Sequence, residues 1–142
     1  IGVELPVGSA RHGDFARCEI GRCRRGFADE VAERIATLGS SAKGTPGTIV
    51  DGRSWDDYSI GRATAIEHLG ALDLVYAGVI GDTRKAIAEI GDIDPVTEDL
   101  LIGQSGQLEL FHWFVRAHLE NSGGQLSTSG ASSEKAAAKA AN

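Results

Sequence analysis

Two carboxylates one helical turn apart are the first residues in this sequence able to do metal chemistry. Asp29 and Glu33 are spaced i, i+4 within residues 25–38, where Phe27, Val31, Ile35 and Leu38 recur with a helical period. With Phe27 at 0° and about 100° per residue, the apolar stripe centres near about 40°, whereas Asp29 and Glu33 fall at about 200° and about 240°. The pair therefore points away from any core that the stripe builds. Adjacent carboxylates repel one another without a cation, and their oxygens are hard donors suited to iron, manganese or magnesium. A solvated acidic face is the simpler reading of the same spacing. If the pair holds metal, its outward direction requires further ligands from a neighbouring subunit.

Three other constellations are weaker. Glu109-Leu110-Phe111-His112 carries the Glu-x-x-His step that di-iron bundles project inward, but such bundles need two copies and only one is present. His112 reads better as a histidine at the edge of a core. Glu67-His68 and His118 have no partner at ligand spacing and read as surface or boundary residues. Asp92, Asp94, Glu98 and Asp99 gather at the junction of two long helical stretches, where acids favour the helix N-terminus and capping is the first explanation. Around a symmetry axis the same four residues would form a ring that attracts cations. The sequence shows no nucleophile with an identifiable base, no Gly-x-Gly-x-x-Gly after a strand and no Walker A motif, so hydrolase and nucleotide-binding readings have no motif in the sequence to carry them.

The elements that position these residues are helical. Gly39 supplies a stop after Leu38, and Lys43-Gly44-Thr45-Pro46-Gly47 reads as a turn-rich loop extending to Arg53. Ser54 is placed to cap a short turn through Asp57. From there Ile66, Leu69, Leu72 or Asp73, Tyr76, Val79 or Ile80, Ile87 and Ile90 predict one helix of about 28 residues, about 42 Å long. Asp94-Pro95 is a cap followed by proline at the first helical position, and Leu101, Gln104, Leu108, Phe111, Val115 and Leu119 form the next stripe, which closes near Asn121. Residues 125–142 are Ser/Thr/Gly-rich and then Ala/Lys-rich, a composition expected to give a mobile tail. No alternating segment competes, so the fold class is all-α, an antiparallel bundle.

Composition narrows the function. The chain has 142 residues with 14 Lys plus Arg against 20 Asp plus Glu, a net charge of −6 that disfavours phosphate backbones; Lys135 and Lys139 are the only basic residues of the tail and make it a weak DNA-binding candidate. No apolar run approaches the roughly 20 residues that span a bilayer, and Cys18 and Cys23 suggest reduced cytoplasmic thiols rather than a disulfide or zinc scaffold. Glycine is high, at 19 residues, and several glycines interrupt helical stretches at roughly 0.8–1 kcal/mol each, so packing must hold those helices together.

Residues 25–39 resemble the second bundle helix of the Dps family, the DNA-protection-during-starvation mini-ferritins. Lys43-Gly44-Thr45-Pro46-Gly47, Trp55-Asp56-Asp57-Tyr58, Asp82-Thr83-Arg84-Lys85-Ala86-Ile87 and Trp113-Phe114-Val115-Arg116-Ala117-His118-Leu119-Glu120 follow in family order, so the resemblance covers about residues 25–126. It implies a ferritin-like four-helix subunit in a hollow, cytoplasmic, nucleoid-associated dodecamer that oxidises ferrous iron with hydrogen peroxide, stores ferric oxide and protects DNA. Asp29 and Glu33 match the Asp-x-x-x-Glu pair of the family's inter-subunit iron site. Asp94 and Asp99 match its acidic three-fold pore, with Asp92 and Glu98 as neighbours.

Residues 1–24 depart from the family. Its His-Trp-Asn segment and His-x-x-x-Asp step are missing: Asp14 and Cys18 occupy the expected His and Asp positions, and His12 is out of register. The first bundle helix and part of the second are expected to be absent or scrambled, since the chain begins at Ile1. One account is that residues 1–24 are a wrong-frame reading of an ordinary family gene; true divergence is the other. The resulting expectation is three zones: an atypical 1–24, a helical bundle over 25–124 and a flexible tail over 125–142. If the missing histidines leave the iron site inactive, the alternative is a DNA-associated or metal-sequestering oligomer without ferroxidase activity.

Overall fold

The computed structural model describes residues 12–52 and 57–142, with side chains from residue 25 onward. Ser54, Trp55 and Asp56 lie outside the described residues, as do residues 1–11 and the side chains of Asp14, Cys18 and Cys23. Five helices are described: α1 (His12–Thr37), α2 (Pro46–Gly52), α3 (Ala65–Ile90), α4 (Pro95–Ala117) and α5 (Glu134–Ala141). Among the described residues the only β-type pairing is an isolated bridge between Glu120 and Leu126, and no helix is long and apolar enough to cross a membrane.

The chain divides into two compact units, residues 1–42 and 43–142. In the first, α1 begins well before the expected Arg25. Its first half has no apolar period but also no proline, and Ala16, Arg17, Glu19, Arg22 and Arg24 are residues for which helix is cheap. Periodicity reports a buried face; propensity needs none. The C-terminus is as expected. Gly39 takes φ +82°, its N–H donates to Ala36 O at 2.9 Å, and the Ser40 N–H reaches back to Ile35 O at 3.1 Å, the two bonds of a Schellman stop.

In the second unit the stretch read as a loop contains α2. Pro46 opens it at the position where a missing N–H costs nothing, and Ile49 N–H donates to Thr45 O at 3.1 Å. Thr64 starts α3 through a capping box: Glu67 N–H donates to the Thr64 hydroxyl at 3.4 Å, and the Glu67 carboxylate accepts from Thr64 N–H at 2.8 Å. After Gly91 the chain turns, and Asp94 opens α4 by accepting from the N–H groups of Val96 and Thr97 at 3.2 and 3.3 Å. The α4 helix closes at Ala117, slightly earlier than expected.

α3 is the shared element, packed against both α4 and α5. Its buried residues are Gly70, Ala71 and Ile80; Phe111 of α4, Leu119 beyond it, and Ala137 and Ala138 of α5 complete the core of this unit. Residues 125–142, read from composition as a mobile tail, carry α5. The sequence Glu-Lys-Ala-Ala-Ala-Lys-Ala-Ala has high helix propensity, and its methyl groups allow a close approach to α3. Ala137 is fully buried and Ala138 is 5% exposed. A Cβ built on Gly70 would lie 2.5 Å from Ala137 O and 2.7 Å from Ala141 Cβ, so this glycine is required by contact rather than by conformation.

Candidate functional site

Asp29 and Glu33 sit on α1, both exposed, while Phe27, Val31 and Ile35 on the other side of the helix are partly covered. The opposition of acidic and apolar faces expected from the spacing is therefore present within this helix. Two carboxylates on one face supply part of a metal coordination sphere, and among the described residues no group of three or more His, Cys, Asp or Glu side chains is arranged to hold an ion. A complete site needs donors from elsewhere.

The four acids between α3 and α4 have separate surroundings. Asp94 is occupied as the α4 cap, taking in addition the Thr97 hydroxyl at 2.5 Å. Glu98, in the first turn, is half-buried against Gly91, where an added Cβ would meet Glu98 Oε1 at 2.9 Å. Asp92 and Asp99 are exposed. Capping explains Asp94, and the others remain available to a neighbour.

The Glu109-x-x-His112 step is divided between two jobs. Glu109 Oε1 accepts from Arg84 Nε at 3.0 Å and Nη2 at 2.6 Å, and these bonds hold its carboxyl below the usual glutamate range. His112 Nε2 lies 2.6 Å from Asp73 Oδ1, with the two side chains only 14% and 15% exposed. The other oxygen of Asp73 accepts from the Thr128 hydroxyl at 2.5 Å, and Tyr76 stacks on the His112 ring with centroids 5.9 Å apart. His112 is thus the core-edge histidine its register suggested. Its partner, 39 residues away, was not foreseen; the available signal was a carboxylate at position 73 on a stripe otherwise apolar. Glu67 serves the cap of α3, His68 Nδ1 meets the Tyr58 hydroxyl at 3.0 Å, and His118 Nδ1 lies 2.7 Å from Phe114 O.

Lys135 and Lys139 are exposed on α5. The helix that carries them is tied down at two points. Ser59 donates its N–H and its hydroxyl to Glu134 Oε2 at 2.6 and 2.8 Å, and Thr128 anchors the preceding segment on Asp73. The Glu134 charge and partial burial both raise the Tyr58 hydroxyl above the usual tyrosine value, burial being the larger cause.

The ferritin-like domain family matches residues 23–122, a span that contains Asp29, Glu33 and all four acids of the α3–α4 junction. The chain is 65% identical over 114 residues to the DNA protection during starvation protein of Mycolicibacterium smegmatis, covering 80% of this chain and 62% of that protein. The chain belongs to the ferritin-like family, among its Dps proteins. Solved Dps structures share the fold. DpsA14 from Streptomyces coelicolor superposes with a TM-score of 0.70 at 67% identity over 72% of this chain and 61% of its own. A C-terminal deletion mutant of Mycobacterium smegmatis Dps gives a TM-score of 0.71 at 58% identity, covering 80% of this chain and 79% of its own. The chain spans 62% of the length of its curated Dps relative from Mycolicibacterium smegmatis.

Proposed function

We propose that this chain is an iron-oxidising, iron-storing Dps protein that works as a cytoplasmic homo-oligomeric cage, a dodecamer, and protects DNA by removing ferrous iron and peroxide together. The observation that carries this reading is the exposed Asp29 and Glu33 pair on the acidic face of α1, within the span matched by the ferritin-like family. In this reading the two carboxylates bind Fe(II) across a subunit interface, with the remaining donors on a second copy. Two Fe(II) ions give up one electron each, hydrogen peroxide takes both, and the ferric product hydrolyses with release of protons to an oxide stored inside. Hard, anionic oxygens hold the substrate iron and favour its higher charge. Asp92, Asp94, Glu98 and Asp99 would line the entry path, and Lys135 and Lys139 would make a weak contact with DNA.

The donor set also supports a second reading. Two carboxylates without a third donor among the described residues suit a DNA-associated or metal-sequestering oligomer that lacks ferroxidase activity. Anaerobic Fe(II) mixed with peroxide separates the two. The first reading expects ferric absorbance to grow much faster than in buffer, with about a tenfold or greater loss of rate when Asp29→Asn and Glu33→Gln are combined. A rate equal to buffer, with iron still bound, establishes the second.

A further inference from the structure

The α3–α4 pair carries a groove of about 400 Å³ that the iron chemistry does not use. Its base is the buried Ile80 of α3 and the His112 ring, fixed by Asp73 on one edge and by stacking on Tyr76. One wall is the indole of Trp113, 57% exposed although it is among the largest apolar surfaces in the chain. Around it stand two guanidinium groups and two carboxylates. Arg84 and Glu109 neutralise each other through two hydrogen bonds. Arg116 has no ion-pair partner among the described residues, and Glu120, one turn further on, has none either.

These groups set the chemistry of an occupant. An exposed indole beside a fixed imidazole is a platform for a flat ring. A guanidinium without a partner takes a phosphate or carboxylate in charge-assisted hydrogen bonds. One such cation, set among carboxylates, suits a single anionic group and rejects a polyanion. The Glu120 carboxylate, one turn beyond Arg116 in the same lining, accepts from an amino group. The volume falls within the range of small-molecule sites, about 300–1,000 Å³. We propose that this groove binds a purine nucleoside monophosphate, with the base stacked on Trp113, the phosphate held by Arg116 and a base amino group donating to Glu120.

Trp113 is itself the reporter. In a Trp55→Phe background it is the only tryptophan of the chain. AMP titrated into that full-length protein should quench its emission saturably at millimolar concentration or below, adenosine should bind more weakly and inorganic phosphate alone should leave the emission unchanged. Arg116→Gln should weaken AMP by about tenfold or more, the effect of losing a charge-assisted bond, and Arg116→Lys should restore part of it. Calorimetry on Trp113→Ala should show the AMP heat lost while helical content is retained. Absence of a saturable quench, equal binding of adenosine and AMP, or undiminished binding by Arg116→Gln would each overturn the assignment. None of these variants touches Asp29 or Glu33, so the result is independent of iron oxidation.

Discussion

Replacing Gly70 by alanine sets two magnitudes of similar size against each other. Alanine is the better helix residue by roughly 0.8–1 kcal/mol, and at Gly78, where an added Cβ meets nothing within 4 Å, that gain should appear in full. At Gly70 the new methyl meets the carbonyl oxygen of Ala137 at 2.5 Å, a backbone atom that cannot swing aside. Overpacking of this kind costs about 1–3 kcal/mol. The docking it opposes rests on the buried methyls of Ala137 and Ala138, about 0.8 kcal/mol each, and on the bonds of Ser59 to Glu134. A free helix of eight residues is not stable in water. The strain therefore falls on α5, which undocks, while α3 keeps the alanine gain. Amide hydrogen exchange should show residues 134–141 opening about tenfold faster for each 1.4 kcal/mol of strain. The unfolding free energy from denaturant melts should change by less than about 1 kcal/mol, and Gly78→Ala should show the stabilisation with no change in α5. Exchange in residues 134–141 of Gly70→Ala within twofold of the parent would refute the close contact.

Three further outcomes follow from the capping and buried polar groups. Asp73→Asn removes the charge that His112 and Thr128 share and should cost about 2 kcal/mol in denaturant melts; a neutral result would mean that water already serves both partners. Asp94→Ala should cost about 1 kcal/mol through loss of the α4 cap, with faster exchange at Val96 and Thr97 and little change at the far end of the helix. The Glu67 carboxyl is held below the usual glutamate value, first by the Thr64 backbone N–H and then by its hydroxyl. Because the folded value lies below the unfolded one, the capping box contributes fully above the unfolded value and is lost as pH falls through the folded one. The Thr64 amide should therefore lose protection on acidification before the interior of α3 does, and Glu67→Gln should flatten that dependence.

The parts of the molecule that were readable in the sequence are those with a local cause. Ile66, Tyr76, Ile80 and Ile87 announce α3 by their period, Asp94-Pro95 marks the start of α4, and Gly39 stops α1 with the left-handed φ that its position requires. The outward direction of Asp29 and Glu33 needed only 100° per residue. What escaped has a non-local cause. Asp73 finds His112 across 39 residues, and Glu109 turns to Arg84 rather than joining His112, because partners across helices are chosen by packing that no period records. The first half of α1 is helical by propensity without an amphipathic stripe. Low complexity misdirected the reading of residues 134–141, since the alanines that look featureless are the residues small enough to lie against Gly70.

The acidic pair on α1 stores a small amount of energy. Like charges at i and i+4 oppose the helix that holds them by roughly 0.2–0.5 kcal/mol, and a cation seated between them removes that opposition. Occupancy and helicity at residues 29–33 are then two readings of one equilibrium. An ion that favours this site must stiffen the helix, and whatever stiffens the helix must tighten the hold on the ion by the same factor.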